Sequence, residues 1–111
     1  MKKLQAIDAL AALAHDTRLE VFRLLVRQGP EGMPAGDISS KLGLAPATLS
    51  FHLNNLRYAG LVEPRRAGRQ VFYSARYRTV SELMGFLMAN CCEGHSAACA
   101  FLDDIPLHAG C

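Results

Sequence analysis

The chain is 111 residues long, half of them hydrophobic, with a formal net charge of +2 at pH 7. That length suits one domain with a limited core, a size at which dimerisation adds useful buried surface. No run of about 18 apolar residues occurs, which excludes a membrane-spanning helix, and the apolar start "MKKLQAIDALAALAHD" is broken by Asp8 and runs on into another helical pattern, as an amphipathic helix does and a cleaved signal does not.

Leu4, Ile7, Ala11 and Ala14 recur at helical spacing and predict a first helix over about residues 2–14. Asp16 is the expected N-cap of a second helix, which carries Leu19, Phe22 and Val26 on one face and ends near Gly29-Pro30. "EGMPAG" reads as a loop. A short helix is expected at 35–42, with Ile38 and Leu42 inward and Gly43 closing it. The next helix starts at Pro46, because a first helical position needs no N–H partner. It runs to about Tyr58, where Gly60 stops it. Two extended pieces, "LVEPRR" and "QVFYSA", joined by Ala67-Gly68, predict a β-hairpin with a basic tip. A last helix is expected over 77–90, with Val80, Leu83, Met84 and Leu87 on one face. Beyond residue 93, "AACAFLDDI" fits one short helix before Pro106. The order α-α-α-α-β-β-α is mainly helical with a small β-hairpin, the arrangement of a winged helix-turn-helix. Residues 1–90 form that domain in this reading, and 91–111 a cysteine-containing tail.

Charge is unevenly spread. Residues 57–78 hold six arginines (Arg57, Arg65, Arg66, Arg69, Arg76, Arg78) against one acid, Glu63. Residues 79–111 hold four acids and no lysine or arginine. The basic middle suits phosphate contact and the acidic tail does not. In a helix-turn-helix the second helix enters the major groove. At 100° per residue, Leu49, Leu53 and Leu56 share one narrow arc and form the core side of helix 46–58. Ala47, Phe51 and Asn54 fall opposite, with Ser50 beside them. Thr48 and Ser50 can donate to phosphates or base edges. Phe51 is an exposed aromatic, a contact with the preceding helix, or an apolar contact to a thymine methyl. His52 lies nearer the core flank and reads as structural. Arg65, Arg66 and Arg69 flank the hairpin turn, placed to reach the minor groove or the backbone. Helix 46–58 carries no lysine and only Arg57 near its end, so affinity leans on the wing.

The stretches "LEVFRLLVRQG" and "DISSKLGLAPATLSFHLNNLRYAGLVEPRRAGRQVFYSA" resemble the ArsR/SmtB family of metal-responsive bacterial repressors. The likeness covers about residues 4–90. It is carried by Leu42-Gly43-Leu44, Ser50-x-His52-Leu53-x-x-Leu56, Ala59-Gly60-Leu61-Val62, Gly68-Arg69 and Tyr73. The resemblance implies a cytoplasmic homodimer joined through its first and last helices, which binds double-stranded operator DNA and releases it on binding an inducer. It implies base contact from positions 46, 47, 50 and 51. There Pro46, Ala47 and Phe51 depart from the polar residues often found in the family. The expected DNA-binding set is therefore Pro46, Ala47, Thr48, Ser50, Phe51, Asn54, Arg65, Arg66 and Arg69.

All four cysteines (Cys91, Cys92, Cys99, Cys111) fall in the last fifth of the chain. A disulfide framework spreads its cysteines to staple distant elements, so this clustering points to reduced thiols in the cytosol. Three uses remain for "NCCEGHSAAC" beyond mere filling. Soft trivalent arsenic is satisfied by three thiolates. Zinc, cadmium or lead would add a fourth ligand, from His95 or Cys111. A redox switch would pair Cys91 or Cys92 with Cys99. An enzyme is not expected, since Cys92 and His95 lack an orienting third member. The resemblance bears on the choice. The Cys-Val-Cys of the arsenical sensors first described is missing from "AGDISSKLG", and the Asp-x-His of zinc sensors is missing from 77–90. Asn90-Cys91-Cys92 with Cys99 resembles a branch of arsenic sensors with a C-terminal "NCC…C" site. That implies Cys91, Cys92 and Cys99 as ligands of As(III) or Sb(III).

Overall fold

The computed structural model describes residues 1–89. The elements are α1 (Lys3–Leu13), α2 (Asp16–Gln28), β1 (Met33–Pro34), α3 (Ala35–Leu42), α4 (Pro46–Tyr58), β2 (Val62–Ala67), β3 (Gln70–Ala75) and α5 (Tyr77–Leu87). Cys91, Cys92, Cys99, His95 and Cys111, and the short helix expected before Pro106, lie outside the described residues.

The α3–turn–α4 unit follows its local signals. Gly43 adopts the left-handed conformation, with φ of +65°, in which its N–H and that of Leu44 both reach the Ser39 carbonyl. That satisfies the last carbonyls of α3 and reverses the chain. The Ser39 hydroxyl also donates to the Leu44 carbonyl. Ala45 is extended and Pro46 takes the first helical position of α4. Gly60, with φ of +78°, ends α4, and the Leu61 N–H closes back to the Leu56 carbonyl at 2.9 Å.

The sheet has three antiparallel strands in the order β1-β3-β2. The hairpin register runs from Val62↔Ala75 to Ala67↔Gln70, so the turn residues are Gly68 and Arg69, one later than the sequence reading placed them. The stretch read as a loop contains β1, whose Met33 lies opposite Tyr73. Gly32 permits this approach: a Cβ there would stand 2.5 Å from the Tyr73 carbonyl oxygen.

Leu25, Ile38, Leu49, Leu53, Leu56 and Leu61 are the largest fully buried side chains, so the core lies directly beneath α4. Four further expectations differ from the structure. The N-cap of α2 is His15, whose Nδ1 accepts from the Thr17 N–H at 3.2 Å, and Asp16 is already in the first turn. The buried face of α2 is Val21, Phe22, Leu24 and Leu25, while Leu19 is exposed. On α1 the side against the rest of the chain is Ala6, Ala9 and Ala12, and Leu4 and Ile7 point outward. Alanines let α1 sit close on its neighbours, which larger residues at those positions would prevent. α5 closes at Leu87, short of the expected residue 90, and its first turn is tied down. Thr79 Oγ1 donates to the Gly60 carbonyl at 2.5 Å, and the Tyr77 hydroxyl to the Val26 carbonyl at 3.4 Å.

Candidate nucleic-acid interface

α4 rests on the core through Leu49, Leu53 and Leu56, all at most 2% exposed. Its other side is open: Pro46, Ala47, Thr48, Ser50, Phe51 and Asn54 are all exposed. Phe51 is 62% exposed. Its ring meets the edge of His52, with centroids 5.4 Å apart. Of the two adjacent asparagines, Asn55 spends its amide on the helix, donating to the Phe51 carbonyl at 2.9 Å. The Asn54 side chain has no hydrogen-bonding partner among the described residues.

His52 is buried behind this surface. Arg18 donates from Nη1 toward His52 Nδ1 at 3.5 Å and from Nε to the Ala12 carbonyl at 2.8 Å. The His15 ring stands 4.8 Å away. Burial pushes the His52 pKa below its ordinary 6.5, and the neighbouring His15 and Arg18 push it the same way. A neutral ring with Nδ1 as acceptor is therefore the favoured state. The contact joins α1, α2 and α4 at one point.

The wing divides its arginines. Arg65 is held by the body of the protein: its Nη2 donates to the Glu31 carbonyl at 3.1 Å, and its guanidinium lies 4.7 Å above the Phe72 ring centroid. The side chains of Arg66 and Arg69 are exposed and make no hydrogen bond or ion pair among the described residues. At the base, Glu63 lies 3.8 Å from Arg76 across the two strands. The one acid of the basic segment is thus turned toward a cation. All three wing arginines are exposed, and Arg65 alone among them has its guanidinium engaged with described residues.

A helix-turn-helix domain model matches residues 13–65. The transcriptional activator HlyU of Vibrio cholerae is 31% identical over 91 residues, 82% of each chain. The solved structure of an ArsR-like transcriptional regulator from Rhodococcus sp. RHA1 superposes with a TM-score of 0.72 at 26% identity, covering 88% of this chain and 90% of that one. The homodimeric winged helix-turn-helix DNA-binding domain of Mb0332 from Mycobacterium bovis superposes with a TM-score of 0.64 at 28% identity, covering 82% and 84%. This chain belongs to the ArsR/SmtB family of helix-turn-helix transcriptional regulators.

In this ArsR/SmtB regulator the described residues bring together no group of three His, Cys, Asp or Glu side chains able to hold a metal ion. No described helix is long and apolar enough to cross a membrane. Sequence reasoning missed two features. One is Arg18, whose link to His52 depends on a contact 34 residues away in the chain and leaves no local signal. The other is the width of the outward apolar face: Leu4 is 73% exposed, Ile7 48%, Leu10 43% and Leu87 55%. Leu10 had no place in the predicted stripe.

Proposed function

We propose that this regulator is a homodimeric repressor that holds an imperfect palindrome through α4 and the wing, and lets it go when trivalent arsenic or antimony binds Cys91, Cys92 and Cys99. The observation that carries the DNA-reading half is the exposure of every candidate on one side of a helix whose other side is core. Dimerisation is supported by the outward apolar faces of α1 and α5, since a chain this small leaves such faces open for another copy. A two-fold axis then sets the two α4 helices about one DNA turn apart.

The sensing half rests on the donor set. Three thiols within nine residues suit a soft, three-coordinate ion. Each S–As bond forms as a thiol proton leaves with one hydroxide of As(OH)3 as water. The cluster begins four residues after Leu87, the last residue of α5. Drawing the thiols together there acts on the helix that contributes to the proposed dimer face. A linkage of about 1–3 kcal/mol is typical, and DNA must weaken metalloid binding by the same factor.

The test is fluorescence anisotropy of the reduced protein on its promoter DNA, with arsenite, antimonite and zinc added separately. Arsenite and antimonite are expected to lower DNA affinity tenfold or more, within the range of such couplings. Cys91→Ser or Cys92→Ser should bind DNA normally and stay bound. Release of those variants by arsenite overturns the three-thiolate site. Release by zinc alone moves the ligand set to one including His95 or Cys111.

A further inference from the structure

We infer that α4 selects its operator by packing on thymine methyl groups, with Phe51 and Ala47 as the specificity-determining residues. The inference rests on the DNA-reading role proposed above and names the chemistry it reads. Positions 47 and 51 are four apart, so their side chains stack on one face of α4, one turn from each other. Both are exposed, on the side opposite Leu49, Leu53 and Leu56. Neither carries a donor or an acceptor. Pro46 beside them has no N–H. The centre of the reading surface is therefore apolar.

The major groove offers such a surface one natural partner. Guanine, adenine and cytosine present polar groups there, whereas thymine adds the C5-methyl group. An apolar side chain set against guanine or cytosine would strip water from those groups without replacing their hydrogen bonds, which costs affinity. Against thymine it buries a methyl instead. On the protein side the Phe51 ring meets the ring of His52 at a steep tilt, and Arg18, itself bonded to α1 through the Ala12 carbonyl, reaches His52 from behind the helix. Polar neighbours remain at the margin: Ser50 and Asn54 flank the apolar pair, and Asn54 suits an adenine edge.

The experiment replaces each thymine of the footprinted promoter, one at a time, with deoxyuridine. That substitution deletes the methyl and leaves base pairing and every polar group unchanged. Kd is measured by anisotropy at one salt concentration with the reduced protein. One or two positions in each half-site should weaken binding about fourfold, the worth of one buried methyl group. 5-Methylcytosine paired with guanine at such a position should bind better than cytosine. Phe51→Ala should bind thymine and deoxyuridine alike there, and Phe51→Leu should keep part of the difference. A flat deoxyuridine scan on DNA that is bound specifically overturns this inference alone. So does an undiminished methyl effect in Phe51→Ala. Absence of sequence-specific binding overturns it together with the DNA-reading role. If Phe51→Ala binds too weakly to titrate, the wild-type scan and Phe51→Leu still decide.

Discussion

α1 and α4 are both helices with apolar residues on two sides, and they are turned in opposite senses. α4 puts its large side chains inward, Leu49, Leu53 and Leu56, and leaves Ala47 and Phe51 outside. α1 puts small ones inward, Ala6, Ala9 and Ala12, and leaves Leu4, Ile7 and Leu10 outside. For α4 the chain's own core accounts for the burial, since each buried leucine removes its apolar surface from water. For α1 the described residues do not: its larger apolar side chains face away from them. In the dimer proposed above that face meets the partner, as does the face of α5 that exposes Leu87. On that reading one helix is finished by folding, the other by assembly.

Four measurements press on that contrast. Leu56→Ala empties a fully buried site under α4 and should cost about 2–5 kcal/mol, read as a lower urea midpoint with an unchanged slope. For a domain of marginal stability this leaves much of the protein unfolded. Ile7→Glu should leave far-UV circular dichroism intact but weaken the dimer by about 3 kcal/mol, counting both symmetric copies, so that sedimentation shows monomer where wild type is dimeric. If Ile7→Glu folds normally and leaves the association unchanged, the outward face of α1 is not an assembly surface.

The third measurement applies the same distinction, committed against available, to the wing. Arg66→Ala and Arg69→Ala should each lower the slope of log K against log salt by about one per protomer, as loss of a phosphate contact does. Arg65→Ala should weaken binding by about 1 kcal/mol or less through a looser wing, with the slope unchanged, because its guanidinium is spent on the Glu31 carbonyl and Phe72.

The smallest effect belongs to His52. Its folded pKa lies below the unfolded value near 6.5, so the folded state disfavours the proton. The stability this neutral ring contributes is complete above pH 6.5 and is lost as pH falls through the folded pKa. Thermal melts should therefore drop modestly on acidification below 6.5. His52→Gln should flatten that drop, since an amide can still accept from Arg18.

The legible parts of the fold are those with local chemistry. The bounds of α3 and α4 follow Gly43 and Pro46, and the wing follows its alternation around Gly68. β1 was hidden because two residues are too few to show a period of two, and its partner lies about forty residues on. The orientation of α1 was hidden for a different reason. Both of its faces are apolar, so periodicity reveals a helix without revealing which side its own chain takes. The capping histidine was missed because Asp16, a stronger capping type, follows it directly. In the candidate site, the exposed side of α4 was readable from angle alone. The engagement of the Arg65 guanidinium was not, since it depends on a carbonyl 34 residues away.

The two bonds at the start of α5 have a mechanical meaning. Thr79 fastens the helix to the end of α4 at Gly60, and Tyr77 fastens it to α2 at Val26. Both fastenings lie in the first turn of an 11-residue helix, about 16 Å long at 1.5 Å per residue. Leu83, further along, is also buried, so the helix turns as one lever. A displacement of about 3 Å at its far end, where the cysteine segment follows, corresponds to a rotation of about 10° about the first turn. The Gly60 carbonyl, fixed to the last turn of the reading helix, sits on that axle.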